Sequence, residues 1–295
     1  METSSPATLS EKLRTRYSIA LIALTYLVLF AIAEASLDFG SPTVGFIVYI
    51  GVMLGLFVHS AATWDTPLSQ FLLTVSLIPL IRIVGLSLPL ATIATIYWYV
   101  LISIPLFVAV AIICIVLKLP LKAIGLTTHG LLLQFIIGLV GIAFGFVGYQ
   151  IVQPVALVNS LTVQSLAVPA VILFVCTGFL EELIFRGILL YGTRKVIGAA
   201  NGLYVAIMYT LLQVGQKSLA LGVFTFVVAL FFSWIATKTQ SIIGVSIAHG
   251  LTNIMFFLIM PLVPTSTGLI LTAVGLATAI LLLLISVVNR RFSRT

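Results

Sequence analysis

Long apolar runs, broken at intervals by short polar or Gly/Pro-containing stretches, make up most of the chain. Between these breakers lie ten segments, at residues 17–36, 43–61, 69–88, 97–117, 131–151, 167–191, 201–217, 219–236, 240–260 and 266–288. Each is ~17–25 residues, the length of a helix that crosses a ~30 Å hydrocarbon core. The runs do not show the two-residue alternation of β-barrel strands. The pattern predicts an all-α polytopic transmembrane helical bundle of about ten spans. Gly40-Ser41-Pro42 closes the first span, Lys118-Leu119-Pro120 ends the fourth, and Pro261-Leu262-Val263-Pro264 separates the last two.

Composition agrees with a bilayer as solvent. The 295 residues are 61% hydrophobic and only 7% charged, against roughly 25% charged in soluble domains. No repeat of 20–50 residues and no long soluble insert interrupts the spans. The organisation expected is a first block, 1–130, of four spans with a cytoplasmic tail and loop. A core follows at 131–262, and a last span with a basic tail at 263–295. Cys114 and Cys176 both fall inside apolar runs, where thiols behave as small hydrophobes, so neither a disulfide nor a thiolate site is expected.

The net charge of +7 would suggest nucleic acid in a soluble protein; in a membrane protein its placement decides. With the amino end inside, the inner loops receive Lys12, Arg14, Arg16, Lys118, Lys122, Arg194, Lys195, Lys238, Arg290, Arg291 and Arg294, eleven of the fourteen basic residues. Only Lys217 falls outside, and Arg82 and Arg186 lie within spans. That asymmetry is the positive-inside pattern. It places a multi-pass protein in the plasma membrane with both termini cytoplasmic, and accounts for the basic balance without a nucleic-acid partner. Lys12, Arg14 and Arg16 ahead of an apolar run and Ala31-Ile32-Ala33 also fit a signal peptide. The run is long for an h-region and nine spans follow it, which favours a retained first span.

Ionisable groups inside spans are costly to insert, and they mark functional interiors. The sixth span carries Gly178-Phe179-Leu180-Glu181-Glu182-Leu183-Ile184-Phe185-Arg186-Gly187. The two glutamates stand about ten residues from the inner helix end, or ~15 Å deep, and differ by ~100° in direction. Glu182 and Arg186 are i,i+4 and can pair on one face, which leaves Glu181 pointing elsewhere as a candidate general base. In the ninth span, His249 and Asn253 share a helical face, with His249 about nine residues from its inner end. Two helices of opposite direction thus present a carboxylate and an imidazole at one level, as a water-activating or metal-binding site requires.

Glu-Glu-x-x-Phe-Arg-Gly at 181–187, followed by His-x-x-x-Asn at 249–253, resembles the CAAX prenyl protease and bacteriocin-processing (CPBP) family of intramembrane proteases, of the type II CAAX endopeptidase kind. Lys122-Ala123-Ile124-Gly125-Leu126 also looks like the short Gly-Leu element that often precedes the family's domain. The resemblance covers roughly residues 165–260 and makes 131–262 a protease-like core. It implies a helical bundle around a water-filled cavity. In that cavity Glu181 would activate water to hydrolyse a peptide bond, with support from Glu182 and Arg186. His249 and Asn253 would bind the oxyanion or a divalent, zinc-like metal, whose ligands would include Glu181 and His249.

One element departs from the pattern. The family has Phe-x-x-x-His on the intervening span, and no histidine occurs in Met208-Tyr209-Thr210-Leu211-Leu212-Gln213-Val214-Gly215-Gln216-Lys217. The degenerate position is expected at Gln216 or Lys217, or at Ser218, depending on the gap. The remaining histidines, His59 and His129, lie near the inner ends of other spans. The expected function is therefore a membrane-embedded endopeptidase acting on a peptide or protein substrate, lipid-modified or membrane-associated. The main alternative is a catalytically degenerate member that binds, scaffolds or confers immunity. A proton-coupled transporter using Glu181 and His249 would call for an inverted repeat, which the chain lacks.

Overall fold

A computed structural model describes residues 9–292 apart from 214, 216 and 217, with side chains described from 18 to 285. Among the described residues ten helices follow one another: α1 Leu9–Phe39, α2 Pro42–Ala62, α3 Pro67–Ser87, α4 Thr95–Val116 and α5 Leu131–Val152, then α6 at residues 163–197, α7 Asn201–Leu211, α8 Leu219–Thr239, α9 Ile243–Leu262 and α10 Thr265–Phe292. No strand occurs among the described residues. The ten helices follow the ten apolar runs in order, because in a bilayer each segment must satisfy its own backbone.

The breakers act as punctuation. Ser41 and Thr66 cap α2 and α3 by accepting from the N–H groups of Val44 and Ser69, each with proline at the first helical position. Nine stretches among the described residues are long and apolar enough to span. One of them, Val163–Leu211, is 49 residues long and doubles back. Gly198 turns the chain with φ 68°, in the left-handed region that glycine adopts without penalty. Asn201 Nδ2 then donates to the Leu190 carbonyl at 3.2 Å, and farther along the Tyr209 ring packs edge-on against Phe185 at 4.9 Å. α7 therefore runs antiparallel beside the end of α6. It is shorter than the run 201–217 suggests: the helix stops at Leu211, and Ser218 caps the start of α8.

α6 is not a regular helix. Residues Leu173–Phe179 and Leu183–Leu189 are π-helical, with only Leu180–Glu182 α-helical between them. Such wide turns are rare and concentrate where side chains must be re-aimed; here they bracket the glutamate pair. α6 and α9 cross in close contact, because a Cβ on Gly178 would lie 2.6 Å from the Gly250 Cα. α5 approaches α9 in the same way, where a Cβ on Gly141 would meet the Ala248 backbone. Small residues at crossings replace the hydrophobic drive that lipid does not supply, and both crossings fix the helix turn that carries His249.

The loop carrying Lys122, the end of α6 with Arg194 and the α8–α9 turn with Gln240 meet at one end of the bundle, where they line a common cavity. Ile242 N–H donates to the Gly125 carbonyl at 3.0 Å, and Ser241 donates to Thr127. This joins the Gly-Leu element to the turn before α9. At the other side of the core, Glu34 of α1 is 1% exposed and receives Arg82 of α3 through two bonds of 2.6 and 2.9 Å. Tyr49 also donates to Glu34, at 2.6 Å. Arg82 donates as well to the Leu212 carbonyl just past α7, tying the first spans to the segment that follows Tyr209.

Candidate active site

Glu182 lies at the centre, fully buried. Its Oε1 accepts from Arg186 Nη1 at 2.9 Å, the pairing the i,i+4 spacing predicts. The same oxygen lies 2.8 Å from His249 Nδ1. Arg186, 3% exposed, also donates to the Ala229 carbonyl of α8 at 3.0 Å. Its guanidinium sits 4.8 Å from the Tyr209 ring centre and 5.6 Å from that of Phe232, in range of the favourable ring faces. A buried charge needs a partner of this kind, and the aromatic flanks shield the pair from lipid.

Glu181 points away from this pair, as the ~100° step between neighbours requires, into a cavity of about 320 Å³. Its Oε2 accepts the Tyr209 hydroxyl at 3.0 Å and lies 3.8 Å from His249 Nε2. The Tyr209 oxygen is 3.5 Å from that nitrogen, so the hydroxyl stands between carboxylate and imidazole. Asn253, one turn past His249, lines the same cavity and donates to Thr177 Oγ1 at 2.8 Å. The rest of the wall is largely apolar, with Tyr99, Phe224, Val228, Phe256 and Phe257.

Glu181, Glu182, Arg186, His249 and Asn253 thus come together around one cavity. Tyr209 and Gln213 join them, and neither matches a pattern that requires a histidine. Their signal was the spacing: Tyr209 and Gln213 are i,i+4, the interval of Phe-x-x-x-His. Of the three positions at which that histidine is expected, Gln216 and Lys217 lie outside the described residues, and Ser218 caps α8 and does not line the cavity. His59 contacts Tyr26 at 3.3 Å on α2, and neither it nor His129 lines the cavity.

The donor set fits a metal poorly. His249 Nδ1 is engaged by Glu182, and Glu182 by Arg186. That leaves Glu181 and His249 Nε2 facing the cavity, and among the described residues no group of three His, Cys, Asp or Glu is placed to hold an ion. Catalytic zinc takes three protein ligands. What the arrangement offers instead is a carboxylate, an imidazole with its far nitrogen fixed, and a hydroxyl, all facing one cavity.

Residues 163–255 match the family described as type II CAAX prenyl endopeptidase Rce1-like. They form an Rce1-like domain, in agreement with the CPBP resemblance carried by the two motifs. The domain takes in α6 to α8 and most of α9, so every side chain named around the cavity except Tyr99, Phe256 and Phe257 belongs to it. Neither the curated proteins nor the solved structures contain a match to the chain.

Proposed function

We propose that the chain is a membrane-embedded endopeptidase in which Glu181 activates water against a peptide bond. The observation that carries this is the placement of Glu181 opposite His249 across the cavity, with Glu182 holding His249 from behind. With its Nδ1 proton directed at Glu182, His249 in its neutral form presents a lone pair at Nε2. A water between Glu181 and His249 gives one hydrogen to each acceptor. As its oxygen attacks the carbonyl carbon, one proton passes to Glu181 and the carbonyl electrons move onto oxygen. The Asn253 amide is a donor for that oxyanion, and the Tyr209 hydroxyl joins it once Glu181, now protonated, no longer accepts from it. When the C–N bond breaks, Glu181 returns the proton to the leaving nitrogen. No step passes through a metal.

The substrate is a peptide or protein segment that reaches the cavity from the bilayer or the cytoplasm, and the apolar wall accommodates a lipid-modified end. The protein sits in the plasma membrane with both termini cytoplasmic, by the asymmetry of its basic loops. The alternative is a binding or scaffold protein that keeps the cavity and has lost turnover. Gln213 favours it, since the amide that stands at the Phe-x-x-x-His interval from Tyr209 cannot accept a proton at neutral pH. Cleavage of a reporter peptide by wild type and by Glu181→Gln separates the two.

A further inference from the structure

A second cavity, of about 380 Å³, opens at the end of the bundle where the basic loops gather. It lies between the Gly-Leu element, the last turns of α6 and the α8–α9 turn. Its wall includes Lys122, Tyr191, Arg194, Asn201 and Gln240, and no acidic residue. Among the described residues, neither Lys122 nor Arg194 forms an ion pair. Two cations facing one concave space without a carboxylate repel each other, and an anion between them removes that repulsion. Arg186 forms part of this wall as well as the wall of the catalytic cavity.

We infer that this cavity binds a phosphate group, supplied by the headgroup of an anionic phospholipid of the leaflet in which the basic loops lie. Arg194 offers a planar fork for two phosphate oxygens and Lys122 a mobile point charge. The pocket lies at the level of the helix ends, where headgroups reside, and basic pockets between spans are suited to anionic lipids. The site is independent of the proteolytic assignment, because none of its binding groups takes part in water activation. Its occupant would bear on the wall to which Arg186 belongs, and so on the Glu182–His249 contact.

The test uses full-length protein in neutral detergent. Thermal unfolding is followed during titration with dioctanoyl-phosphatidylglycerol, dioctanoyl-phosphatidylcholine or inorganic phosphate. The glycerol lipid should raise Tm saturably, by about 5 °C at a hundredfold excess over Kd, and the choline lipid should not. Lys122→Gln with Arg194→Gln should abolish the rise, whereas Lys118→Gln with Lys195→Gln, of equal charge change, should keep it. If the double variant does not fold, the single Lys122→Gln on the exposed loop replaces it, with a weakened response expected. An equal, variant-sensitive rise with inorganic phosphate assigns the site to the free ion rather than a lipid. Equal responses to the two lipids, or a rise that survives loss of both cations, overturn the inference.

Discussion

Glu182 Oε1 stands 2.8 Å from His249 Nδ1 and 2.9 Å from Arg186 Nη1, so one oxygen serves both a structural cation and the imidazole of the site. Removing Glu182 alone leaves Arg186 buried and unpaired, which costs about 3–5 kcal/mol. Glu182→Leu should therefore unfold at markedly lower temperature. Glu182→Leu with Arg186→Leu should recover stability, because an apolar pair of similar volume replaces a buried ion pair well. It should not recover hydrolysis, since His249 then has no acceptor behind it. Thermal unfolding beside cleavage rate checks both halves; a double variant that is both stable and fully active contradicts the role of Glu182.

Tyr209 predicts a smaller effect. Tyr209→Phe keeps the ring under Arg186 and removes only the hydroxyl 3.0 Å from Glu181. A hydrogen bond to a charged group is worth about 1.5–3 kcal/mol, so cleavage should slow by roughly ten- to a hundredfold with thermal stability little changed. Single-turnover cleavage measures it, and an unchanged rate removes Tyr209 from the chemistry.

The Glu34–Arg82 pair concerns assembly rather than chemistry. Arg82→Met strands Glu34, which is 1% exposed, and frees the Leu212 carbonyl that Arg82 holds. Loss of about 3–5 kcal/mol is expected, partly restored by Glu34→Leu in the same chain. Unfolding midpoints in detergent decide this; no shift in Arg82→Met contradicts the clamp.

Much of this was legible in the sequence because bilayers enforce simple rules. The order of the spans followed from run length, and the Glu182–Arg186 pair from i,i+4 spacing. The meeting of Glu181 with His249 followed from equal depth on opposed helices. Three things were not legible. Glu34 and Arg82 are 48 residues apart, so no local period joins them. The part of Tyr209 depends on the turn at Gly198, which lays α7 back along α6. The second partner of Glu182 depends on the π-helical turns on either side of it, which no propensity in Leu173–Leu189 announces.

Topology gives an independent check. The gathering of eleven of the fourteen basic residues in alternate loops and near the two ends predicts a cytoplasmic carboxyl end. A reporter fused after Thr295 should be active only in the cytoplasm, and an exterior signal removes the ten-span orientation.

The assignment of Glu181 as the base is tested by cleavage of a membrane-presented reporter peptide by wild type, Glu181→Gln and Gln213→His. Glutamine keeps the volume and cannot take the water's proton, so Glu181→Gln should fold normally and lose hydrolysis by about 10²-fold or more. Gln213→His should raise the wild-type rate, because it returns a titratable nitrogen to the cavity wall. Equal product from wild type and Glu181→Gln, with no gain in Gln213→His, would contradict the account and leave a cavity that binds without cutting.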